Sequence, residues 1–171
     1  MQKTLIVGYG NPDREDDGVA YHLLNRIANE LINQSITFSS EGLDNFDHLP
    51  PSSGNTQINL LFTLQLTPDL AEFFSSFERI CFLDAHTGAV PEDIHLEILS
   101  PGYQKSPFTH HMTPQTCLGL MDAIYKKQSD AILISIRGYE FGFNRSLSLQ
   151  TADLMESALQ QIMDWIFSSH S

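Results

Sequence analysis

Basic residues are scarce in this chain: 9 Lys and Arg stand against 21 Asp and Glu, a formal net charge of −12. Affinity for nucleic acid depends on cations that displace the counterions of phosphates, so this balance excludes a nucleic-acid partner and favours a basic or cation-bearing one. Cysteine is scarce too. Cys81 and Cys117 lie far apart and form neither the close pairs of a zinc knuckle nor a redox dithiol, so both are expected as buried thiols. No apolar run approaches the roughly 20 residues of a membrane helix. The stretch TLIV (4–7) runs into a Gly-rich turn in place of a signal-peptide cleavage site. The expectation is a cytoplasmic monomer with no membrane partner, folded as one domain over residues 1–171.

What is present is an alternation of strand and helix patterns. TLIV (4–7) reads as a buried strand, and after Asp16-Asp17-Gly18 the residues Val19, Leu23, Leu24, Ile27, Leu31 and Ile32 fall at helical spacing. Residues 35–57 read as an irregular segment with a weak strand signal at Ile36-Thr37-Phe38. INLLFTL (58–64) is the next strand, and the helix over 66–77 is expected to start on Thr67 with Pro68 at its first position. RICFLD (79–84) and AILISI (131–136) read as buried strands, and IHLEIL (94–99) alternates as an edge strand does. Thr113-Pro114 opens another helix, and Leu149–Phe167 carries Leu154, Ala158, Ile162 and Trp165 on one face. The pattern predicts an α/β sandwich: a twisted, mostly parallel sheet with helices on both faces.

In such a sheet the carboxyl ends of the strands build the site. Asp17 follows the first strand, Asp84 ends RICFLD, and His110-His111 precede a helix. Two carboxylates and an imidazole suit nickel or zinc better than magnesium. Each residue also has a structural explanation: Asp16 and Asp17 as helix-start partners, Asp84 as a turn former, and His110-His111 as a solvated pair. His22, His48, His95 and His170 read as structural or surface groups. Gly8-x-Gly10 lacks the third glycine of a dinucleotide-binding turn.

Four motifs in order, GYGNPDREDDGVA, FLDAHTG, THHMTP and IRGYEFGFNRSLS, resemble the hydrogenase maturation proteases over nearly the whole chain. The resemblance implies a five-stranded sheet between helices. It also implies an endopeptidase that removes a C-terminal extension from a hydrogenase large-subunit precursor after nickel insertion. The family's metal-contacting and catalytic positions fall on Asp17, Asp84 and His110, the last because it follows Thr109. Nickel is then carried by the substrate, with no tightly bound cofactor in the isolated protein. Many relatives have Asp-Gly-Gly-Thr after the second strand, where this chain is read as TLQLTPDL (63–70). Around Asp17, the expectation is that Asp16 keeps the local potential negative, Gly10 and Asn11 shape the turn, Arg14 pairs with a carboxylate, and Asp13 and Glu15 are solvated.

A metal so held could polarise the scissile carbonyl, or a carboxylate could activate water. Two other readings stand beside this one. A nickel-site recognition chaperone would use the same ligands without cleavage. A peptidyl-tRNA hydrolase shares the Gly-Asn-Pro turn but needs the basic surface this chain lacks.

Overall fold

The computed structural model describes residues 2–45, 57–102 and 112–168. At the centre of the sheet is β1 (Thr4–Tyr9). Leu5 and Val7 point into one core and Ile6 into the other, which is why this strand is a continuous aliphatic run. Its neighbours are β3 (Ile58–Thr63) and β4 (Arg79–His86), both parallel, with Ile6 opposite Leu60 and Cys81. β2 (Phe38–Glu41) pairs parallel outside β3, and β6 (Asp130–Arg137) parallel outside β4. β5 (Ile94–Leu99) runs antiparallel to β6 and completes the order β2-β3-β1-β4-β6-β5.

Helices cover both faces. α1 (Val19–Asn33) and α4 (Leu149–Phe167) pack over one, burying Leu23, Leu24, Ile27, Ala158 and Ile162 against Ile6 and Ile134. α2 (Leu70–Phe74) and α3 (Pro114–Tyr125) cover the other, where Phe74 meets Phe82 edge-on at 5.7 Å between ring centres. Cys81 and Cys117 are buried free thiols, as expected. Arg79, at the start of β4, ties α4 down. Its guanidinium stacks 4.1 Å over Trp165 and donates to the carbonyls of Ile166 and Trp165, occupying oxygens that the helix end leaves unpaired.

The sequence-based outline needs three corrections. The sheet has six strands and not five, because Phe38–Glu41 adds to β3. Only Phe38 of this strand is buried, and cross-strand pairing, more than propensity, makes it a strand. The second strand is therefore β2, and Gly42-Leu43 follow it in place of TLQLTPDL, which follows β3. Lastly, α2 is shorter than 66–77 and has Asp69, not Thr67, at its N-cap. The carbonyls of Thr67 and Pro68 close a turn with the N–H groups of Leu70 and Ala71, and the Ser75 hydroxyl bonds the Glu72 carbonyl where the helix ends. Residues 46–56, the rest of the segment read as irregular, lie outside the described residues.

Candidate active site

The carboxyl ends of β1 and β4 lie side by side, and each delivers one carboxylate. After β1, the chain turns through Gly10 and Asn11 into a 3-10 turn (Glu15–Gly18) that packs against β4 and leads into α1. Gly10 sits at φ +136°, and a Cβ there would lie 2.1 Å from the Asp17 carbonyl oxygen, so glycine is required. The N–H of Asn11 donates to Oδ2 of Asp17 at 2.9 Å, which fixes that carboxylate over the strand end. The expected roles of Gly10 and Asn11 hold.

Asp84 is partly buried on β4, and this desolvation pushes its carboxyl up to about 7. Hydrogen bonds from the Tyr9 hydroxyl and the Ala85 N–H, the latter at 2.7 Å, work in the opposite direction, while the charge of Asp17 raises it further. Asp84 thus feels the charge of Asp17 across the strand edge. A carboxylate pair that repels at a strand edge binds a cation more readily than a proton-neutral site does.

Tyr9 and His86 went unread in the sequence. Tyr9 ends β1, one step beyond the pairing of Gly8 with Leu83 and so beside Asp84. Burial, the charge of Asp84 and their hydrogen bond hold the phenol far above its ordinary range, so it stays a donor to Asp84. His86 lies two residues beyond Asp84 on the same strand and hence on the same face. Its Nδ1 accepts the Gly88 N–H at 3.1 Å, and its Nε2 is buried without a partner among the described residues. The period of two in FLDAHTG was the available signal.

His110 and His111 lie outside the described residues. The chain resumes at Met112, which packs on the α2–α3 core, and Thr113 caps α3 by accepting the Thr116 N–H at 3.2 Å. α3 runs back toward the start of β6, so its first turn opens at the edge that carries Asp17 and Asp84. Cys117, one turn in, is near enough to Tyr9 to add to the upward shift of its phenol. Among the described residues no three His, Cys, Asp or Glu side chains converge as a metal-binding group.

Of the remaining acidic residues, Asp16 and Glu15 do structural work beyond that expected. Asp16 is fully buried, and beyond any part in the local potential it is a structural acceptor. Its Oδ2 accepts the N–H groups of Tyr139 and Glu140 at 2.8 and 2.9 Å and the Ser148 hydroxyl at 2.7 Å, while Oδ1 accepts the Ser148 N–H at 2.8 Å. Burial would raise its pKa, but these donors together bring it below the ordinary value. Glu15 is not merely solvated, since its carboxylate accepts the Gly142 N–H at 2.8 Å, whereas Asp13 is exposed as expected and forms a surface pair with Arg145 at 3.0 Å. Arg14 donates to the Phe141 carbonyl at 3.1 Å; its resolved partner is a carbonyl and not a carboxylate. The acidic turn therefore grips the late motif IRGYEFGFNRSLS along its length. Of the lone histidines, His22 bonds the Arg145 carbonyl at 3.0 Å and His95 lies 3.3 Å from Glu92, consistent with structural and surface roles. His48 and His170 lie outside the described residues.

No helix among the described residues is long and apolar enough to cross a membrane. No protein-family model and no curated protein matches the sequence. Solved structures do match. The hydrogenase maturating endopeptidase HybD from E. coli superposes with a TM-score of 0.63 at 14% identity, over 96% of this chain and 91% of that one. The [NiFe] hydrogenase maturation protease HycI from Thermococcus kodakarensis gives 0.60 at 14%, over 96% and 90%. The hydrogenase 2 maturation peptidase of a Thaumarchaeota archaeon gives 0.59 at 15%, over 97% and 99%. The shared architecture, from first strand to last helix, is the fold of the hydrogenase maturation proteases.

Proposed function

We propose that this chain is an endopeptidase that removes the C-terminal extension of a nickel-loaded [NiFe] hydrogenase large-subunit precursor. The observation that carries the reading is the placement of Asp17 and Asp84 at the carboxyl edge of this fold, one in the turn after β1 and the other on the adjacent strand β4, each from a separate motif. The nickel is part of the substrate. Asp17, Asp84 and His110 complete its coordination, so that checking for nickel and docking the scissile bond are one event. Tyr9 holds Asp84 by its hydroxyl, Asn11 holds Asp17 by its N–H, and both carboxylates face a precursor that brings positive charge with its metal. Cleavage follows by polarisation of the scissile carbonyl or by a carboxylate-activated water. Lacking thiolates, three such ligands form an open set, and the isolated protein is expected to hold no metal tightly.

The test is incubation of the purified protein with nickel-loaded and nickel-free precursor, read as a size shift on a gel. Shortening of the loaded precursor alone is expected, and Asp17→Ala, Asp84→Ala and His110→Ala should each abolish it while leaving the fold intact. Stable binding of loaded precursor without shortening would instead identify a recognition chaperone.

A further inference from the structure

The two edges of the sheet differ in kind. β2 is four residues long and carries Ser39 and Ser40. β5 is six residues long, contains neither Lys nor Pro, and exposes Leu96 and Ile98, the latter 80% accessible. Glu97 is the strand's one acidic side chain; long edges that expose apolar side chains attract further strands unless charge, proline or a covering element protects them. Leu96 and Ile98 line a groove of about 360 Å³ together with Ile132 and Trp165.

The hydrogen-bonding phase of β5 is fixed by its neighbour. The Arg137 N–H donates to the Asp93 carbonyl at 2.8 Å, just before Ile94 pairs with Ile136. Bonded positions alternate in an antiparallel ladder, so Asp93, His95, Glu97 and Leu99 bond toward β6. Ile94, Leu96 and Ile98 then turn their N–H and C=O groups toward the open edge, where no described strand takes them.

We propose that β5 pairs antiparallel with β5 of a second copy of this chain, about a two-fold axis at Leu96. The phase allows only outward residues to bond each other. Of the registers left, the one with most overlap sets Leu96 against its own copy and Ile94 against Ile98 of the other chain. That same register sets His95 opposite Glu97 of the other copy, twice, at the non-bonded positions where side chains approach most closely. The strand is thus complementary to itself in its side chains, an imidazole against a carboxylate, as well as along the backbone. His95 keeps Nδ1 toward Glu92 and has Nε2 for its new partner.

On the opposite face, Leu96 meets its copy, and Ile98 leaves solvent beside Ile94. Because β5 is antiparallel to β6, the two β6 strands run in opposite directions across the joint. The two carboxyl edges therefore face opposite ways, and a bulky partner can approach each without obstruction from the other. The sequence reading treated the chain as a monomer; the edge geometry points to a symmetric dimer.

Sedimentation equilibrium of the whole protein decides the matter. At about 100 μM, well above the micromolar end of the range for specific interfaces, the expected mass is twice 19.2 kDa. Leu96→Lys, an exposed change that leaves the core untouched, should give the 19.2 kDa species. His95→Glu should raise the dimer Kd roughly tenfold, and adding Glu97→His should restore it, because only this register places the two side chains opposite each other. A wild-type monomer at that concentration overturns the dimer and leaves the edge to an extended segment of another protein. A dimer that ignores Leu96→Lys, or that the double exchange fails to restore, overturns the proposed joint.

Discussion

Asp16 and Ser148, 132 positions apart, are joined twice: the carboxylate accepts the serine N–H at 2.8 Å and its hydroxyl at 2.7 Å. Ser148 is also the N-cap of α4 and accepts the Thr151 N–H. One buried carboxylate therefore holds together the turn that carries Asp17, the 139–148 loop and the last helix.

Replacing Asp16 with Ala strands the buried N–H and hydroxyl of Ser148 and the partly buried N–H groups of Tyr139 and Glu140. Each unpaired group costs about 1–3 kcal/mol, so a loss of about 3 kcal/mol or more is expected in urea unfolding. Asp16→Asn can accept but carries no charge, and should lose less. If Asp16→Ala unfolds at the wild-type midpoint, the clamp contributes nothing.

Gly10→Ala tests whether the turn sets the position of Asp17. The backbone conformation alone is worth about 1–3 kcal/mol of strain, and the added methyl overlaps the Asp17 carbonyl. The expected result is a folded, less stable protein that processes precursor at least tenfold more slowly. Normal processing would show that Asp17 tolerates displacement.

The carboxyl of Asp84 titrates near 7 in the fold against an ordinary value of 3.8. Between these values the folded protein retains a proton that the unfolded chain has released. This group's stabilising contribution is therefore complete below about pH 4 and is lost as pH rises to about 7. Asp84→Asn removes that loss, so its unfolding midpoint should fall less than the wild type's between about pH 5 and pH 8. Parallel behaviour of the two proteins would contradict the raised value.

Phe143 is 96% exposed on the loop gripped by Arg14, Glu15 and Asp16, at the same end of the molecule as Asp17. An exposed aromatic on a held loop is a ready anchor for a protein substrate. Under the proposed function, Phe143→Ala should raise KM for the precursor roughly tenfold with kcat and thermal midpoint unchanged. A change in kcat alone would place Phe143 outside docking.

The strands and helices were legible because burial writes a period: aliphatic runs for β1, β4 and β6 and a helical stripe for α4, while β5 showed itself by alternation in sequence although its apolar side chains Leu96 and Ile98 are exposed. Asp17 and Asp84 were legible because a strand end in a parallel sheet has a fixed place at the carboxyl edge. What the sequence could not show is which of several similar charges goes inside. Asp13, Glu15, Asp16 and Asp17 look alike in a row, yet Asp16 alone is fully buried, since its solvation is replaced by donors more than a hundred positions away. β2 was likewise hidden, because its polar residues become a strand only when β3 supplies the ladder. Local pattern determined the elements; the pairing of distant backbone and carboxylate groups, which no local window contains, was decided by the tertiary structure alone.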